Sequence, residues 1–93
     1  MKPRDSALRA KRFEAAEKAR KVASLEMMIR DFETMVSELS RQIGVEEERT
    51  GIKEPAHFAY STFAKAAAQR RANLMVSVTD LKIKLIHQVF PRL

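Results

Sequence analysis

The chain has 93 residues, a formal net charge of +6, 45% hydrophobic and 32% charged residues, and no cysteine or tryptophan. This excludes a disulfide framework, a thiolate metal site and a wholly disordered chain. A conventional central core is marginal at this length, whereas two long helices zipped along a seam need none. Two glycines, three prolines and an abundance of Ala, Glu, Lys, Arg, Leu and Met favour that second solution.

The first helix is expected from about Ser6 to Thr50, with Asp5 or Ser6 as a plausible N-cap. Its opening third is strongly basic. Residues 1–21 hold eight Lys/Arg against three Asp/Glu, a balance of +5, and the rest of the chain carries only +1. From Val22 the apolar residues fall at alternating spacings of three and four: Val22, Leu25, Ile29, Phe32, Val36, Leu39 and Ile43. That is a heptad seam. Traced backwards it meets Ala15 and Leu8 but also Lys18 and Lys11, so it weakens where the basic excess begins. The seam ends near Gly44, the helix frays through Glu46–Arg49, and Gly51 supplies the left-handed residue that closes it.

Pro55 stops any continuation, and the chain reverses over about residues 51–60. The second helix is expected over about 61–90, capped by Ser61 or Thr62 and ended by Pro91. Its seam is Tyr60, Ala64, Ala67, Arg71, Leu74, Val78, Leu81 and Leu85. If the two stripes dock antiparallel, the numbers of facing residues add to about 110. Ile43 then meets Ala67, Val36 meets Leu74, Phe32 meets Val78, Ile29 meets Leu81 and Leu25 meets Leu85. Only Leu39 against Arg71 is mixed, and an arginine stem tolerates apolar neighbours. One register satisfies both stripes, so the expected fold is all-α: a single hairpin of two long helices in an antiparallel coiled coil. The second helix runs out opposite about Val22, so residues 1–21 are expected to project as an unpaired cationic helix.

No catalytic constellation is visible, and the chain reads as a binding protein and not an enzyme. His57 and His87 fall at opposite ends of the docked hairpin and cannot share a metal or proton relay. No glycine-rich phosphate loop precedes a Lys-Ser/Thr pair, and no cofactor is expected. Glu46, Glu47 and Glu48 are consecutive on a helix and fan apart, which makes them a solvated face and not a metal site. Met27, Met28, Met35 and Met75 lie on or beside the seams, as packing or as an adaptable partner face. Phe58, Tyr60 and Phe63 cluster at the reversal, either plugging the turn or forming an exposed handle.

The candidate partner-binding residues are therefore Arg9, Lys11, Arg12, Lys18, Arg20 and Lys21 on the basic end, with Phe58, Tyr60 and Phe63 at the turn. A basic helix followed by heptads also suits nucleic acid or another acidic surface, which is the alternative function. Zipper proteins that read DNA fork two basic helices from a parallel dimer. Here the second helix occupies the seam and leaves dimerisation no free stripe, so a monomer or weak self-association is expected. No stretch approaches the roughly 18 apolar residues needed to span a bilayer, and the cytoplasm is the expected location.

The turn adds a resemblance. The stretch Glu46–Ile52, then Pro55-Ala56-His57-Phe58-Ala59-Tyr60, then Phe63–Ala67 and Gln69–Leu74 resembles FliJ-type flagellar export proteins of alphaproteobacteria. It is densest over residues 45–75, where Gly, Pro, His and aromatics are not helix filler. Glu54-Pro55 stands where Asp-Pro is expected, and Ser61 where a proline is expected. Proteins of this type usually continue the second helix further, so the resemblance implies a C-terminus shortened at Phe90-Pro91-Arg92-Leu93. It also implies a two-stranded coiled coil of the flagellar type III export apparatus at the cytoplasmic base of the flagellum. Such a rod associates with the hexameric export ATPase, the export gate and export chaperones.

Overall fold

The computed structural model describes residues 2–92 and consists of two helices, α1 over Pro3–Thr50 and α2 over Thr62–Val89. They pack antiparallel into a rod of 74 × 22 × 13 Å. At about 1.5 Å per residue, α1 alone accounts for nearly the whole length.

Helix α1 opens three residues before the expected cap, and neither Asp5 nor Ser6 caps it. Lys2 is the N-cap, with extended φ −77° and ψ 139° and no side-chain hydrogen bond. Pro3 at the first helical position explains the earlier start, since its fixed φ suits a helix and it has no N–H to satisfy. Asp5 instead sits in the first turn, where its carboxylate complements the positive end of the helix. At the other end the helix stays regular through Glu46–Thr50 and stops at Gly51, whose φ of +74° is left-handed. The Gly51 N–H donates to the Glu47 carbonyl at 2.9 Å, satisfying an orphan acceptor of the last turn.

The reversal is made of two successive turns. His57 N–H donates to the Glu54 carbonyl and Tyr60 N–H to the His57 carbonyl, each at 3.0 Å. Ser61 then caps α2, its hydroxyl accepting from Ala64 N–H at 3.2 Å.

The core is a thin double layer in two clusters. Near the turn, Leu39, Ile43, Ala64 and Ala67 are buried, with Tyr60, Ala68 and Leu74 packed on them. Further along, Ile29, Val78 and Leu81 are buried, with Leu25, Phe32 and Leu85 around them. These are the partners that the expected register brings together. At the mixed position Leu39 is buried, and Arg71 turns its head outward to donate to the Ser40 hydroxyl at 3.0 Å. Beside the seam, Lys82 pairs with Glu33 at 3.4 Å. None of Met27, Met28, Met35 or Met75 joins the core: all four are at least two-fifths exposed.

Candidate partner-binding surfaces

At the basic end, α2 stops at Val89 and the described residues of the expected overhang are exposed except for a half-buried Glu17. Lys18 and Lys21 share a shallow groove with His87, Gln88 and Pro91 from the end of the chain, floored by Phe13, Glu14 and Glu17. The groove reaches back to Phe13, although of residues 13–21 only Glu17 is even half-buried. Past Val89 the chain makes a turn at Pro91 and Arg92, and Pro91 borders this groove. Arg9, Lys11 and Arg12 stand beyond this point on exposed α1, and Arg20, also exposed, pairs with Glu17. Residues 2–12, beyond the groove, hold five basic side chains against one acidic, a balance of +4. Glu14 and Glu17 offset part of the charge at Lys18 and Lys21 by proximity.

The turn aromatics divide. Tyr60 belongs to the core: it packs on the cluster around Leu39 and Ile43, and its hydroxyl donates to a Glu47 oxygen at 2.8 Å. Phe58 is 97% exposed, with its ring stacked on His57 at 4.8 Å between centroids, and Phe63 is 54% exposed. His57 cannot turn freely, since its Nδ1 accepts from Ala59 N–H at 3.0 Å. A side chain as large as Phe58, held out on a braced turn, is a ready contact for an apolar pocket.

The glutamate run is not a uniform solvated face. Glu46 accepts from the Ser61 hydroxyl at 2.9 Å and from the Arg49 guanidinium, and Glu47 accepts from Tyr60. Both clamp the start of α2 onto the end of α1, and only Glu48 faces outward, 3.9 Å from Lys53. The Arg49 guanidinium and then the Ser61 hydroxyl hold the Glu46 carboxyl below its ordinary range. The hydrogen bond to Glu47 raises the Tyr60 phenol above its ordinary value of 10.0, as does the carboxylate's charge.

A raised phenol means the folded hairpin prefers the protonated ring. That contribution is complete below pH 10 and is lost as pH rises through the higher folded value. Tyr60 is the sole tyrosine and there is no tryptophan, so phenolate absorption reads it directly. Glu47→Gln should lower its titration midpoint towards that of free tyrosine. An unchanged midpoint would show that the two side chains do not meet.

Helix α2 also carries an apolar face that the seam does not use. Val76, Ile83, Ile86 and Phe90 are each 47% exposed or more and lie off the buried seam, Ile86 at the rim of a groove shared with Glu26, Ile29 and Arg30. The expectation that one seam leaves no free stripe is thus corrected, because α2 has a second one. Its signal was present in the sequence as another alternation of fours and threes, running parallel to the first.

Among the described residues no three His, Asp or Glu side chains group to hold a metal. No described helix is long and apolar enough to cross a membrane. Comparison with known proteins finds no matching family model, no similar curated protein and no similar solved structure.

Proposed function

We propose that this chain is a non-enzymatic docking rod of the flagellar type III export apparatus, of the FliJ type, working in the cytoplasm at the base of the flagellum. The observation that carries the reading is the division of labour along one narrow rod. A paired shaft holds an unpaired cationic helix at one end and an exposed aromatic turn at the other. The resemblance at residues 45–75 supplies the identity of the partners: the export ATPase first, then the export gate and chaperones.

A rod about 22 Å wide fits the central opening of a ring-shaped ATPase, and a helical end bearing +4 is steered by acidic walls there. Phe58 and Phe63 offer the other end an apolar anchor. Hydrolysis belongs to the partner, and the rod supplies position and contact.

The test is a binding titration against the purified hexameric export ATPase. The Arg9→Glu, Lys11→Glu, Arg12→Glu triple variant should bind at least tenfold more weakly, with helical content unchanged. Reversal of Lys18, Arg20 and Lys21 should have a smaller effect, since glutamates and the chain's own end already flank them. Phe58→Ala with Phe63→Ala reports separately on gate and chaperone binding. Unchanged binding by all three variants would sink the proposal. So would tight retention of DNA or RNA that weakens steeply with salt while the ATPase does not bind, which is the nucleic-acid alternative.

A further inference from the structure

We propose that the outward face of α2 is a second coiled-coil seam, and that its occupant is the same face of a second copy of this chain. Ala72, Val76, Thr79, Ile83, Ile86 and Phe90 follow one another at spacings of four, three, four, three and four. That is the period of a left-handed helical pair. All six are exposed, and none lies in either buried cluster. They occupy the positions that a two-helix rod ordinarily gives to polar residues. Helix α1 follows that rule more closely: of its equivalent positions Arg30, Thr34, Ser37 and Arg41 are polar, and Met27, 57% exposed, is the one large apolar residue. The asymmetry singles out α2 as the helix with a further neighbour.

The stripe is complementary to itself. In an antiparallel pair whose facing numbers add to about 162, Ala72 meets Phe90, Val76 meets Ile86 and Thr79 meets Ile83. The smallest residue faces the largest, and the two-fold axis passes beside Leu81. This arrangement sends the two basic arms to opposite ends of a four-helix array. Parallel pairing would set two +5 segments at the same end. Near the axis Asp80 meets its own copy, whereas Lys82 is already matched by Glu33 within its own hairpin. Salt that screens the Asp80 pair therefore strengthens association, opposite in sign to docking through the arm. Six roughly half-exposed side chains cover about 500 Å² per copy, or about 1,000 Å² in all, the lower bound for a specific interface. A reversible dimer is the outcome, and it depends on α2 whether or not the arm finds its ATPase.

Sedimentation equilibrium of the full chain tests this. The mass should rise from 10.6 kDa towards twice that value as concentration increases, more readily at higher salt. Ile83→Glu with Ile86→Glu, and separately Val76→Lys, should weaken association at least tenfold with the helical signal intact. The chain has no cysteine, so Val76→Cys with Ile86→Cys in one chain should oxidise to a covalent dimer. Those two positions are about 15 Å apart along one helix and cannot close on each other. A chain that stays monomeric overturns the proposal, including one whose outward face binds only anionic phospholipid vesicles. So does a dimer that ignores these substitutions. Absence of the covalent dimer overturns the antiparallel register.

Discussion

Replacing Ile43 with alanine is expected to destabilise the hairpin by about 3 kcal/mol, and replacing Ile29 with alanine by about 2 kcal/mol. Both side chains are under 10% exposed, so the transfer loss is similar. What differs is the wall around the gap. Ile43 shares its cluster with Ala64, Ala67 and Ala68, whose short side chains have nothing to swing into the space, and its longer neighbours are fewer: Leu39, Leu74 and a Tyr60 tethered to Glu47. Ile29 is ringed by Val78, Leu81, Leu25, Phe32 and Leu85, which can lean inward and close part of it. The cost of a large-to-small change grows with the cavity that remains. A domain of this size holds only about 5–10 kcal/mol in total, so either loss is a large shift in the folded fraction. Urea unfolding followed by helical circular dichroism measures both. Equal costs, or Ile29 costing more, would mean the alanine layer is not packed against Ile43.

The seams were legible because coiled-coil packing is one-dimensional. Once spacing names the inward face of each helix, the register is the only remaining freedom, and apolar matching fixes it. Leu39 against Arg71 shows how far this goes. The pattern flags the one mismatch, and the structure resolves it by sending the guanidinium to Ser40. Gly51 was legible for a related reason, since a helix followed by Pro55 needs a left-handed exit.

Periodicity is silent where a residue acts across the chain reversal. Tyr60, Phe58 and Phe63 look alike in sequence, yet only Tyr60 continues the seam phase, and only it finds a carboxylate to receive its hydroxyl. Glu46 and Glu47 read as solvated because consecutive helical residues diverge. They do diverge, but the residues just before α2 come close enough for Ser61 to donate to Glu46 and Tyr60 to Glu47. The groove at the basic end is not legible in the seams, because His87, Gln88 and Pro91, which border it, lie beyond the last seam residue. The outer stripe of α2 is hard to read for another reason. One register already satisfies both seams, so the pairing of α1 with α2 calls for no second stripe.

The substitution with the largest expected effect at the turn is Ala64→Leu. Ala64 has no exposed surface, sits in the first turn of α2 and touches the Leu39–Ile43 layer. Three added carbons have no room there, and the strain of overpacking is about 1–3 kcal/mol. The damage does not stop at strain. Pushing α2 off α1 at this level also parts Tyr60 from Glu47 and Ser61 from Glu46, now 2.8 and 2.9 Å apart, so two hydrogen bonds across the reversal are lost with it. The combined cost exceeds the strain alone and rivals the loss of a core isoleucine even though the change adds apolar surface. The helices themselves should persist, and Tyr60 should titrate closer to 10.0 as its carboxylate partner withdraws. Ala66→Leu, on an exposed position two residues along, is the control and should be close to neutral. If both substitutions prove equally mild, the two helices do not touch at the turn, and the clamp built on Glu46 and Glu47 is absent.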